Sequence, residues 1–164
     1  MNRARTPLAS HDVLIRPMTT DDLTAVLVIE EESFPTPWTE GMFREELSLP
    51  FCHDLVATAD DIIVGYMSFA VVYDEVHLRN IAVHGDWKGR GVASKLIDEM
   101  MRIGTEKGAR WATLEVRKRN EQAIKLYKKL GFVVKGIRPR YYTDTHEDAL
   151  ILWARVSKKK SGRR

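Results

Sequence analysis

The chain has 164 residues, 44% hydrophobic and 30% charged, with 26 Lys+Arg against 23 Asp+Glu and a formal net charge of +3. That is the composition of roughly one globular domain, long enough to bury an ordinary core without staples. The single cysteine, Cys52, excludes an intramolecular disulfide and a Cys-based zinc cluster and fits a reducing compartment. The longest apolar-leaning stretch, Ile62 to Tyr73, is broken by Gly65 and Ser68 and is too short to span a bilayer. With no apolar run of signal-peptide length near Met1, the expected location is the cytoplasm, with no membrane partner.

The sequence pI near 9.0 raises the question of nucleic acid. Lys158, Lys159, Lys160, Arg163, Arg164, Arg3 and Arg5 lie at the two ends, so the remaining body carries 19 basic and 23 acidic side chains and leans acidic. Residues 12–156 therefore read as a single domain, and residues 1–11 and 157–164 as basic tails that are either solvated or in contact with RNA.

In chain order, Val13 to Arg16 reads as a strand ended by Pro17. Thr19 and Thr20 before Asp21 and Asp22 start a helix through Leu23, Val26, Leu27 and Ile29, which Pro35 and Pro37 end near Phe34. Thr39 caps a second helix carrying Phe43 and Leu47, closed by Pro50. Strands Leu55 to Ala59 and Ile62 to Tyr73 flank an Asp60-Asp61 hairpin, and a turn at Asp74-Glu75 leads to a strand from Val76 to Val83. Val92, Leu96 and Met100 beside Ala93, Ile97 and Met101 predict a helix from about Gly91 to Lys107. A strand from Trp111 to Val116, a helix from Asn120 to Leu130, and strands Phe132 to Ile137 and Leu150 to Val156 complete an α/β (α+β) fold. It has a mixed, mostly antiparallel sheet of about seven strands flanked by about four helices on both faces.

Three features carry candidate chemistry. Ile81-Ala82-Val83 followed by Lys88-Gly89-Arg90-Gly91-Val92-Ala93 is a strand, a glycine turn and a helix start, which can present backbone N–H groups to a pyrophosphate. It lacks both the dinucleotide and the P-loop spacing, so alone it is equally a plain glycine turn. Glu115, in the apolar strand Trp111-Ala112-Thr113-Leu114-Glu115-Val116, is either paired with Arg117 at a strand end or held in a partly dry site as a general base. Tyr127 lies on the helix whose core row includes Ala123 and Leu130, and reads as a core phenol or as an acid.

Taken together, Asn80-Ile81-Ala82-Val83, Arg90-Gly91-Val92-Ala93, Leu114-Glu115-Val116-Arg117, Asn120, Ala123-Ile124, Leu126-Tyr127 and Leu130-Gly131-Phe132 strongly resemble the GNAT superfamily of N-acetyltransferases. Arg140-Tyr141-Tyr142 and Glu147-Asp148-Ala149 resemble its ribosomal-protein-alanine N-acetyltransferase group. The resemblance implies the GNAT fold, acetyl-CoA as co-substrate without a metal, and a protein N-terminus, such as that of a ribosomal protein, as partner. It also implies that the backbone of Ile81, Ala82 and Val83 meets the pantetheine arm, and that Gly89, Arg90, Gly91, Val92, Ala93 and Ser94 form the pyrophosphate loop. Lys88 stands where Gln or Arg is usual and Ala93 where a glycine often falls, which a mechanism built on backbone N–H groups tolerates.

By the same resemblance Asn120 contacts the cofactor, Glu115 is the general base and Tyr127 the general acid. A protein α-amine has a pKa of about 7.7 to 8.0, so near neutrality a base must take its proton before it can attack. An N–H near Val83 is then the candidate donor to the oxyanion. Tyr127 would protonate a thiolate whose parent pKa is near 8.5, against about 10 for a phenol.

On the acceptor side, Phe34-Pro35-Thr36-Pro37-Trp38 resembles the group's substrate-lining loop and Tyr141-Tyr142 the opposite wall, although Trp38 equally reads as the cap of a core. Asp74 and Glu75 either attract a cationic peptide terminus or face water. His11, His53, His77, His84 and His146 show no metal-ligand spacing, and Cys52 reads as a small buried hydrophobe. Besides N-terminal acetyl transfer, a broader N-terminal, lysine or small-amine acetyltransferase and a non-catalytic acyl-CoA sensor remain as alternatives.

Overall fold

The computed structural model describes residues 12–156. The basic tails at 1–11 and 157–164 lie outside the described residues. Seven strands form one sheet: β1 (Leu14–Pro17), β2 (Cys52–Ala59), β3 (Ile62–Val72), β4 (Glu75–Val83), β5 (Trp111–Arg117), β6 (Val133–Tyr142) and β7 (Glu147–Arg155). Their spatial order is β1-β2-β3-β4-β5-β7-β6, and every neighbouring pair is antiparallel except β4 with β5. The longer helices are α1 (Leu23–Ser33), α2 (Glu40–Ser48), α3 (Val92–Glu106) and α4 (Glu121–Lys129). No helix among the described residues is long and apolar enough to cross a membrane.

The two faces of the sheet bury different sets of residues. Leu23, Val26 and Ile29 of α1 and Phe43 of α2 pack with Val56, Tyr66 and Ala82 on one face. Leu96, Ile97 and Met100 of α3 and Tyr127 of α4 join Leu55, Met67, Phe69 and Leu114 on the other. Alternation along β2 sorts Val56 from Leu55 and Ala57. Gly104 lets α3 cross β4 closely, since a Cβ there would stand 2.7 Å from Val76 Cγ2.

The Thr39 cap and the Asp60-Asp61 turn act where expected, whereas α1 is entered through a 3-10 turn over Thr20–Asp22 in which Thr19 donates to the Asp22 carboxylate instead of capping the helix with its hydroxyl. Thr39 Oγ1 accepts from Met42 N at 3.2 Å, and Asp22 Oδ2 accepts from Thr19 N at 2.8 Å. Asp60 and Asp61 take φ of 49° and 63°, the left-handed pair of a tight hairpin.

Four boundaries differ from the sequence reading. The second hairpin turns at Tyr73-Asp74, because Glu75 already pairs with Val72. β2 begins at Cys52, since its polar residues His53 and Asp54 pair with Phe69 and Ser68 of the long β3. β6 continues to Tyr142 and β7 starts at Glu147, an extension carried through an irregular register between Arg138 and Tyr142 with Arg140 at φ 51°. Cys52 is half-buried, and its thiol is pushed up to about 12 by burial and by neighbouring Glu46, which leaves it a poor nucleophile.

The site depends on one departure from regularity. β4 pairs with β5 only over Glu75–His77 against Trp111–Thr113, after which the two strands part. On its other side β4 carries an extra residue, Arg79, between the pairs Ser68 with Asn80 and Phe69 with Leu78. The second half of β4 is thereby separated from β5, and a groove opens between them.

Candidate active site

The groove has a volume of about 680 Å³. Ile81 on β4 and Leu114, Glu115 and Val116 on β5 line the gap between the strands, together with Asn120, which precedes α4, and Tyr127 of α4. Phe34 to Thr36 and Trp38 from the α1–α2 loop form one wall, and Tyr141 to Asp144 from the β6–β7 hairpin form the other. Seven predicted residues thus share one cavity although they come from five segments: Trp38, Ile81, Glu115, Asn120, Tyr127, Tyr141 and Tyr142.

Glu115 is two residues from the end of β5, with its side chain 31% exposed and Oε1 3.7 Å from Arg138 Nη2 of β6. Its partner is therefore not Arg117. That guanidinium instead binds both carboxylate oxygens of Asp144, at 3.0 and 2.8 Å, lies 3.5 Å from Glu147 and stacks over the Tyr142 ring at 4.0 Å. Tyr127 is buried, packs edge-on against Phe132 at 5.8 Å, and still reaches the groove. Burial pushes its phenol well above the ordinary tyrosine value, so it stays protonated across the neutral range.

Asn120 Oδ1 accepts from Ala123 N at 3.2 Å, so the side chain caps α4 while its amide N–H groups stay available to a ligand. The Trp38 ring packs on Phe43 at 5.2 Å, as the cap of a core would, and it also lines the groove. Tyr141 is exposed and meets Tyr142 edge-on at 5.1 Å.

Other predicted residues lie apart from the groove lining. Ala82 is buried under α1 and α2, and Val83 packs on the core cluster of the opposite face, so any ligand contact there falls to their backbone. Gly89 and Gly91 adopt φ of 77° and 80°, a region costly for a residue with a Cβ. Gly91 supplies no side-chain cap to α3, which leaves the first-turn N–H groups of Val92, Ala93 and Ser94 without a side-chain acceptor. Arg90 stacks on Trp87 at 4.8 Å. This arrangement fits a pyrophosphate held by backbone donors and the positive end of a 15-residue helix. Asp74 and Glu75 sit at the opposite, paired end of β4. Asp74 O accepts from Arg110 N and Trp111 N, and Glu75 pairs with His77 at 2.9 Å.

Sequence reasoning missed two features. One is a clasp in which Thr36 Oγ1 donates to Asp144 Oδ2 at 2.9 Å, joining the two walls of the groove across 108 residues of chain. Nothing local encodes so distant a contact. The other is Glu30, 1% exposed, at the edge of the groove. Its signal was present: it follows Leu23 and Val26 at helical spacing on the apolar face of α1.

The family model described as Acetyltransferase (GNAT) family matches residues 23–132. A protein of Bacillus subtilis named putative ribosomal protein bS18-alanine N-acetyltransferase is 39% identical over 144 residues, covering 87% of this chain and 95% of that protein. The ribosomal protein bS18-alanine N-acetyltransferase of Salmonella typhimurium is 36% identical over 142 residues, covering 85% and 95%. The crystal structure of the ribosomal-protein-S18-alanine N-acetyltransferase from Escherichia coli superposes with a TM-score of 0.81 at 32% identity, covering 93% of this chain and 97% of that one. With that fold, a parted β4–β5 pair and a glycine-led α3, the chain belongs to the GNAT acetyltransferase family and is an acetyl-CoA-dependent N-acetyltransferase.

Proposed function

We propose that the enzyme transfers acetyl from acetyl-CoA to the N-terminal α-amine of a protein, with the N-terminal alanine of a small-subunit ribosomal protein as acceptor. The observation that carries this reading is the groove, where Glu115 and Tyr127 line one cavity with walls formed by the α1–α2 loop and the β6–β7 hairpin. The names of the Bacillus, Salmonella and Escherichia relatives support the choice of acceptor.

In this mechanism the N–H groups of Gly89 to Ser94 hold the pyrophosphate and the backbone of Ile81 to Val83 aligns the pantetheine arm. Acetyl-CoA supplies the activated acyl group. Glu115, through a water, takes the proton of the acceptor ammonium, a backbone N–H near Val83 donates to the developing oxyanion, and Tyr127 gives its proton to the departing sulfur.

Peptides differing only at residue one, assayed beside lysine peptides and small polyamines, test the acceptor through relative kcat/KM. The proposal expects a free N-terminal Ala peptide to lead. A polyamine or an internal lysine leading would replace it with the broader amine acetyltransferase reading.

A further inference from the structure

A carboxylate placed in the apolar row of α1 costs stability unless it is paired or hydrogen-bonded. Glu30 is 1% exposed, and donors from three other segments converge on it. Trp38 N donates to Oε1 at 2.9 Å, Asn80 Nδ2 donates to Oε2 at 2.8 Å, and the buried Tyr66 hydroxyl also donates to Oε2. Trp38 ends the α1–α2 loop, just before the residue that caps α2. Asn80 lies on β4 between the extra residue Arg79 and the groove residue Ile81. One side chain thus ties the acceptor wall to the strand on the cofactor side.

We infer that Glu30 is a positioning residue, whose carboxylate fixes the Trp38 wall against β4 and so sets the acceptor end of the groove without touching the reacting atoms. This rests on the reading of that wall as the acceptor side. Both of its oxygens are occupied by protein donors, which leaves it poorly suited to receive the acceptor ammonium itself. Burial raises its carboxyl pKa, and the Trp38 and Asn80 N–H groups act in the opposite sense.

The test compares Glu30→Leu and Glu30→Gln in the full-length enzyme, with an N-terminal-alanine peptide and acetyl-CoA varied in turn and Trp38 amide hydrogen exchange followed by NMR. Glu30→Leu leaves Trp38 N–H without its acceptor, so the expected result is an acceptor KM raised roughly tenfold and faster Trp38 exchange, with kcat and acetyl-CoA KM within about twofold. Glu30→Gln keeps an oxygen for Trp38 N–H, and the Tyr66 hydroxyl and Asn80 amide can reorient around its NH₂. It should restore both readouts to within about threefold of wild type.

Gln being as damaging as Leu would overturn the inference in favour of a role that needs the charge. Acetyl-CoA KM rising in step with acceptor KM, or Trp38 exchange staying unchanged, would overturn it too. If Glu30→Leu does not fold, Glu30→Gln and Asn80→Ala decide: the first should keep Trp38 protection and acceptor KM near wild type, and the second should raise acceptor KM several-fold. The opposite pattern contradicts the inference. Trp38 exchange needs no turnover, so a failed choice of acceptor and a failed role for Glu30 give different results.

Discussion

The two sides of the groove are held in different ways. The side proposed for the cofactor is built from one stretch of chain, Ile81 through Ser94, and offers backbone N–H groups, two left-handed glycines and the end of α3. The side proposed for the acceptor joins segments far apart in sequence through side chains: Thr36 to Asp144, Arg117 to Asp144 and Glu147, and Glu30 to Asn80. Backbone donors bind a ligand without depending on side-chain identity, whereas the other side depends on particular side chains. Substitutions on the two sides should therefore separate the two Michaelis constants.

The largest effects are expected where the sides meet. Glu115→Gln and Tyr127→Phe should each lower kcat by about 10²- to 10³-fold with both KM values changed little, as measured by steady-state kinetics. Full activity in both would remove the chemistry from this gap.

The next effect concerns the face under α1 and α2, where burial pushes Asp54 up to about 6 and its Oδ1 lacks a hydrogen-bond partner. A folded pKa above the usual aspartate value of 3.8 means that the folded state holds the proton more tightly. Stability from this group is complete below about pH 4, falls as pH rises to about 6, and is constant above that. Asp54→Asn should accordingly be the more stable protein at pH 7.5, by up to about 3 kcal/mol, and close to wild type at pH 4 in denaturant melts. A stabilisation that does not change with pH would contradict this.

On the cofactor side, Gly91→Ala forces a Cβ into φ 80°. It should raise acetyl-CoA KM roughly tenfold while acceptor KM stays within about twofold. The smallest effect is on the clasp. Arg117 and Thr36 hold the Asp144 carboxyl well below the usual carboxylate range, so the clasp stays ionised through mildly acidic pH. Asp144→Asn weakens it and should raise acceptor KM by about three- to tenfold, with acetyl-CoA KM unchanged. If both substitutions raised the same Michaelis constant, the division between the two sides would fail.

The same division explains how much of the fold and the site is legible in the sequence. Helix periodicity at Leu96 and Met100, the Thr39 cap and the Asp60-Asp61 hairpin are local signals, and the elements they specify formed in order. Glu115, Asn120 and Tyr127 are singled out through the family resemblance, whose motif runs along the neighbouring β5 and α4, and the structure brings all three to one groove. The length of the β6–β7 hairpin was not legible, because an irregular register with Arg140 at φ 51° breaks the period-two pattern. The partner of Glu115 was also hidden: which cation reaches a carboxylate depends on strand order, and β6 with Arg138 lies beyond β7 in the sheet.

The most direct test uses one peptide with a free N-terminal alanine and an internal lysine, incubated with acetyl-CoA and either wild-type or Glu115→Gln enzyme, with the acetyl group located by tandem mass spectrometry. The expected result is a single acetyl group on the α-amine, formed about 10²- to 10³-fold more slowly by the variant. Acetylation of the lysine, or equal rates for the two enzymes, would contradict the account.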